Sequence, residues 1–202
     1  VKNMELVKRF LALMLVALLV TVAAFSLRVS MEQRRLAEKL IRFHVVAASD
    51  DAADQARKLR VRDALLPQIA VLTAGCADAE EAEAALRAGL PALERTAAET
   101  LGTGEAAAAS LTEEAFPRRD YESFSLPAGT YRALRVTLGA GQGHNWWCVA
   151  FPALCLPAAE DFQQAAEQAG LSDEEIAMMQ DDTAEVQIKF RLLDWLAALF
   201  TK

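Results

Sequence analysis

The chain is poor in the residues that mark several whole classes of protein. Three cysteines in 202 residues are too few for a disulfide-built mini-scaffold. Two histidines confine any histidine chemistry to His44 and His144. Six prolines and nine glycines exclude a collagen-like or linker composition. Basic residues are outnumbered 21 to 28, and the formal charge of −7 argues against a nucleic-acid binder. What is abundant is apolar: 53% hydrophobic against 24% charged, which excludes intrinsic disorder.

Much of the apolar excess lies in one run, Phe10 to Leu27, which carries no charge and only two hydroxyl residues, Thr21 and Ser26. Lys2, Lys8 and Arg9 precede it. Eighteen helical residues at about 1.5 Å each span roughly 27 Å, enough to cross a bilayer core. A basic flank followed by an apolar helix is the shape of a membrane-targeting segment. Val22-Ala23-Ala24 suits a signal peptidase, while the length suits an uncleaved anchor, so both readings stand. The basic flank favours a domain outside the cytoplasm, although Arg28, Arg34 and Arg35 follow the run closely. The expected organisation is therefore residues 1–27 as signal or anchor, 28–39 as a helical stalk, and 40–202 as one extracytoplasmic domain. Acidic residues concentrate in 73–115 and 159–202, as solvated helix faces do.

Beyond the stalk, Leu40 to Val46 is β-branched and aromatic and reads as a strand. Ser49, Asp50 and Asp51 give a helix start, and Ala56, Leu59, Leu66 and Ile69 follow helical spacing to about Leu72, with Pro67 placed to kink or end it. Residues 78–101 form a second helical stretch that Pro91 is placed to split, and Ser110–Phe116 reads as a strand. In Tyr131–Leu138, Leu134, Val136 and Leu138 share one face and Tyr131, Ala133, Arg135 and Thr137 the other. Asn145–Phe151 is again strand-like, so the two are expected to pair as a hairpin around a glycine loop. Residues 159–180 read as helix, Val186–Leu192 as a last strand and Asp194–Phe200 as a closing helix. With no regular βαβ repeat, the fold class expected is α+β: one domain with a largely antiparallel sheet and several packed helices.

The densest motif is Gly139-Ala-Gly-Gln-Gly-His-Asn-Trp-Trp-Cys148. A dinucleotide loop needs a helix after its glycines, and a strand follows here, so no nucleotide or other cofactor is expected. Cys148 and Cys155 are too far apart for a structural zinc pair, and no metal is expected. A local disulfide between Cys148 and Cys155 fits an exported chain better, with two buried thiols as the other possibility and Cys76 left over. A nucleophile reading pairs Cys148 with His144 or His44, yet catalytic partners usually come from different elements. Trp146 and Trp147 are adjacent, so on a strand they face opposite ways. One fills the core, and the other needs cover from the domain, a membrane or a partner.

Four strings together resemble one family. They are Leu40-Ile-Arg-Phe-His-Val-Val-Ala-Ala-Ser-Asp50, Asp54-Gln-Ala-Arg-Lys-Leu-Arg-Val-Arg-Asp63, Leu126-Pro-Ala-Gly-Thr-Tyr-Arg-Ala-Leu-Arg-Val136 and Gly141-Gln-Gly-His-Asn-Trp-Trp-Cys-Val149, the last followed by Phe151-Pro152 and Leu154-Cys155. In order and spacing, with the apolar segment ahead of them, they look like stage II sporulation protein R. The resemblance implies a protein made in the forespore and exported into the space between forespore and mother-cell membranes. There it would trigger a membrane-embedded aspartic protease, stage II sporulation protein GA, which cleaves pro-sigma-E. It also implies a signal and not an enzyme, with no catalytic residues to carry over.

The first expectation is thus an exported signalling ligand, tethered or targeted through residues 10–27. Its protease-contacting surface is expected at His144, Asn145, Trp146 and Trp147, with no nucleic acid and no small-molecule substrate. The second is an exported cysteine-dependent cell-wall hydrolase or peptidase using Cys148 and a histidine. The third is a membrane-tethered structural domain.

Overall fold

The computed structural model describes residues 2–102, 104–121, 123–154 and 162–180. The first helix, α1 (Lys2–Glu38), is continuous through the apolar run and the segment read as a stalk. It is long and apolar enough to cross a membrane, and none of its most apolar stretch is buried in the molecule. Its last turns are different: Val29 and Leu36 are buried, and this part of α1 packs on the sheet. Lys39 then donates to the Gly170 carbonyl (3.0 Å) and to Glu175 (2.6 Å), tying the end of α1 to a distant part of the chain.

The chain turns at Leu40 into β1 (Ile41–Val46), every residue of which is buried. Two long helices follow, α2 (Ala52–Thr73) and α3 (Ala79–Leu101), packed on each other. Asp78 caps α3 by accepting from the Glu80 and Glu81 amides at 2.9 Å each, Glu81 reaches back to the Ala77 amide, and Gly102 closes the helix in the left-handed conformation (φ 64°). Pro67 and Pro91 end neither helix. Both prolines are exposed, as are Asp63 and Arg87 four residues before them. The carbonyls that lose a partner therefore face water, which replaces the missing bond.

Next come β2 (Ala107–Phe116), a two-stranded ribbon of β3 (Arg119–Asp120) and β4 (Ser125–Leu126), then β5 (Gly129–Leu138) and β6 (Asn145–Phe151). The main sheet has the order β2-β5-β1-β6. β2–β5 and β1–β6 are antiparallel and β1–β5 is parallel. The α+β class and largely antiparallel sheet stand as read. The hairpin does not: β5 and β6 are separated by β1. The loop between them crosses the end of β1 and is fastened there, the Gln142 amide to the Ala48 carbonyl (3.1 Å) and the Gly143 amide to that of Ala47 (2.9 Å). Six residues easily bridge two strand spacings of about 4.8 Å each.

The stretch 159–180 contains two short helices rather than one, α4 (Phe162–Gln168) and α5 (Asp173–Gln180). Gly170 (φ 74°) breaks the run, and Ser172 with Glu175 forms a reciprocal cap that starts α5. The strand and closing helix expected at 186–192 and 194–200 lie outside the described residues.

Strand alternation divides the sheet as read. Leu134, Val136 and Leu138 are all but fully buried, on the face they share with Phe43 and Val45. Arg62 of α2 lies over Trp146 on this same face, which marks it as the side covered by the helices. The opposite face carries Arg42, His44, Tyr131, Ala133 and Trp147.

Gly143 is where the loop packs tightest. A Cβ there would run into the Ser49 carbonyl and sit 3.0 Å from the Ala47 side chain. Gly143→Ala should therefore destabilise the domain by about 1–3 kcal/mol, read from urea unfolding of the purified chain. An unchanged midpoint would show the loop to be free of β1.

Candidate functional site

The loop and strand singled out by sequence lie at the end of β1 remote from α1's junction, and they are held by residues the sequence did not single out. Asp50 is the clasp. It accepts the His144 amide (2.6 Å) and meets His144 Nδ1 at 2.5 Å. These hydrogen bonds hold the exposed Asp50 carboxyl below the usual carboxylate range. Lys58 of α2, only 5% exposed, donates to the His144 carbonyl (2.9 Å) and to Gln55 (2.5 Å). Burial pulls its ammonium pKa down, and nearby Asp50 opposes that. The backbone of His144 is thus fixed while its ring stays 82% exposed.

From this clasp β6 delivers the two tryptophans to opposite faces. Trp146 meets Phe43 edge-on (5.7 Å between centroids) and carries Arg62 at 5.1 Å above its ring. Trp147 stacks on His44, with centroids 4.8 Å apart and planes 4° from parallel, and meets Phe116 edge-on at 5.0 Å. Arg119 of β3 lies 5.3 Å from the Trp147 ring centre. Both indoles are partly buried. Cover is therefore shared, and neither tryptophan is wholly internal.

Beneath Trp147 lies a polar group of the core. Arg42 is fully buried, its guanidinium 4.5 Å from the Phe116 ring, 5.1 Å from Tyr131 and 5.8 Å from Tyr121, to whose hydroxyl it donates at 2.8 Å. Tyr131 in turn donates to the Pro127 carbonyl (2.8 Å). His44 is 1% exposed, and its Nε2 stands 3.2 Å from Glu114 without hydrogen-bond geometry. Burial holds the imidazole pKa below its ordinary value, the Glu114 carboxylate working against it.

The cysteines are placed as follows. Cys148 is 1% exposed and pairs in register with Phe43, on the helix-covered face. His44 points from the other face, and His144 lies in the clasp with Asp50. The structure thus brings neither histidine to Cys148 in the manner a nucleophile–base pair requires. Cys155 lies outside the described residues. Cys76 is free and lines an open pocket of about 430 Å³ with Thr73, Pro152 and Ala169, apart from the His144 loop.

Sequence reasoning missed Arg42, Asp50, Lys58, Glu114, Tyr121 and Arg119 as parts of this region. Arg42 and His44 had a readable signal, since two polar residues spaced by two in an apolar strand share a face. Nothing local signals Arg119, which reaches Trp147 only through the β3–β4 ribbon.

The sequence model of the stage II sporulation protein R family matches residues 37–161, which cover β1 through β6. The chain belongs to that family. Stage II sporulation protein R of Bacillus subtilis (strain 168) is 30% identical over 188 residues, covering 81% of this chain and 83% of the relative. No solved structure matches. Membership places the protein in sporulation, and the apolar α1 is compatible with export or anchoring.

The buried neutral imidazole has a consequence for stability. An unfolded histidine titrates near pH 6.5. Below that pH the unfolded chain takes up a proton that the folded domain resists, so stability is complete above about pH 6.5 and is lost as pH falls. The melting temperature should decline as the pH falls below about 6.5, and His44→Gln should flatten that decline. The same slope in the variant would show that His44 does not set it.

Proposed function

We propose that this protein is an exported signalling ligand of endospore formation. It contacts the membrane-embedded aspartic protease, stage II sporulation protein GA, from the extracytoplasmic side, in the space between forespore and mother cell. Binding shifts the protease toward its active form, and pro-sigma-E is then cleaved in the mother cell. The protein is the signal and not the enzyme. The observation that carries this reading is the family match, which covers the whole sheet and the His144 loop. The unburied apolar stretch of α1 supports export, and the separation of Cys148 from both histidines favours a ligand over a cysteine hydrolase. The contact surface is the loop and strand of His144, Asn145, Trp146 and Trp147. Cys148 bonds to Cys155, which staples the end of β6 in an oxidising compartment.

Co-expression with the protease and pro-sigma-E in non-sporulating cells tests the reading. Precursor processing is expected with the full chain and not with a chain lacking residues 1–27. Equal processing without the export segment, or none with either form, would sink it.

The disulfide is tested in the same cells. Cys148→Ser and Cys155→Ser should lower processing to a similar extent and lower the melting temperature together. Complete loss with Cys148→Ser beside full activity with Cys155→Ser would point back to a nucleophile.

A further inference from the structure

The two tryptophans of β6 are built alike but finished differently. Trp146 carries a guanidinium, Arg62, and that cation has its anion: Asp63 lies 2.7 Å from Arg62. Trp147 carries a guanidinium too, Arg119, but Arg119 meets no carboxylate among the described residues. Its neighbour Asp120 is engaged with Arg118 at 2.9 Å. Arg119 is exposed, and the ring beneath it cannot withdraw into the domain, because the stacked His44 and the edge-on Phe116 already occupy the space behind it.

A guanidinium seated on an indole is held in place with its donor edge still open, which is how arginine presents a fork to a planar carboxylate. We infer that Arg119 and Trp147 form the recognition surface of this protein, and that its occupant is an Asp or Glu side chain of a partner protein segment, with an apolar side chain beside it on the indole. Trp146 and Arg62 belong to the helix–sheet packing. This inference rests on the signalling reading above and divides its four-residue surface: Trp147 contacts the partner and Trp146 supports the fold. A preorganised aromatic–arginine pair at a partly desolvated spot is the kind of site that dominates binding energy.

The test uses the full chain in the processing assay. Arg119→Glu should cut pro-sigma-E processing at least tenfold with unchanged chain level and melting temperature. Trp147→Ala, which also loses its packing on His44 and Phe116 and melts lower, should cut processing at least as deeply when assayed below its melting temperature. Trp146→Phe should keep near wild-type processing, and Arg119→Lys should fall between. Replacing the protease's extracytoplasmic Asp and Glu residues one at a time by Arg should yield one exchange that restores processing with Arg119→Glu. Wild-type processing by Arg119→Glu, or a loss with Trp146→Phe as deep as with Trp147→Ala, overturns the inference. So does the absence of any restoring exchange, whether accompanied by weakened binding to phosphatidylglycerol vesicles or by a changed oligomeric state in Arg119→Glu.

A second readout separates this inference from the reading it rests on. Should the wild-type chain elicit no processing, the signalling reading falls. The surface is then judged by tryptophan fluorescence of the detergent-solubilised full chain titrated with a synthetic peptide of alternating Glu and Leu. A response in the wild type and in Trp146→Phe, absent in Trp147→Phe and in Arg119→Glu, sustains the surface. No response in the wild type removes it.

Discussion

A buried cation on the central strand sets the architecture of one whole face of the sheet. Arg42 is fully buried, and removing a guanidinium from water costs several kcal/mol unless other groups replace the lost hydration. Here the replacement is mostly aromatic. Phe116 from the end of β2, Tyr131 from β5 and Tyr121 from beyond β3 lie around the cation, and the Tyr121 hydroxyl accepts from it. Burial pulls the Arg42 pKa down from its ordinary value, and Tyr121 and Tyr131 act against that. Supplying Tyr121 requires the chain to fold back across the sheet between β2 and β5, which is what the β3–β4 ribbon does, closed by the Tyr121 amide on the Phe124 carbonyl at 2.7 Å. The same ribbon carries Arg119 to Trp147. The cage around one buried charge and the furnishing of one partly buried indole are therefore parts of a single device.

The helix-covered face follows a different economy. Phe43, Val45, Leu134 and Val136 meet Val61, Leu65 and Ile69 of α2 and Leu86 and Leu93 of α3 in an ordinary apolar core. Full burial of each such side chain contributes about 1.5–3 kcal/mol. This core has no need of the polar groups at the far end of β1. Those groups serve the loop: the Asp50 clasp, the Lys58 bond to the His144 carbonyl, and the amides of Gln142 and Gly143 on the β1 terminus. They convert a glycine-rich connection into a fixed approach to β6, so that the strand enters the sheet edge with its register and its two indoles already set.

How much of this was legible in the sequence depended on how local each determinant is. The Leu40–Val46 strand was readable because its residues are β-branched and aromatic, and the two faces of β5 were readable because alternation is a property of the strand itself. The caps of α3 and the Ser172–Glu175 cap are likewise local. Proximity in sequence does not give the pairing of β6, and no β5–β6 hairpin forms. The partner of β6 is β1, a hundred residues earlier, and only the seating of the Gly139–His144 segment on Ala47–Asp50 reveals that the segment is a crossover. That neither proline ends its helix has a related reason: the cost of a helical proline depends on whether the carbonyl one turn back faces water, and that is a tertiary property. At the site, the tryptophans and His144 stood out by composition. Their partners Asp50, Glu114 and Arg119 come from three other elements and carry no mark of their own.

The same alternation that places one partly buried indole on each face bears on what kind of chemistry the domain supports. A cysteine nucleophile needs its base on the same side of the sheet, yet Cys148 shares the helix-covered face with Phe43 while His44 sits on the other with Trp147. Moving either to meet the other would require a one-residue register slip, which would turn every side chain of β6 to the wrong face and bury Trp147 among the helices. His144 is equally committed, since its amide and ring both serve Asp50. The polar groups of this domain are thus spent on holding shape, and the shape they hold is a surface: a fixed loop, an exposed imidazole and an indole under a guanidinium. Arg119 is the cation placed on that indole, and it meets no carboxylate among the described residues.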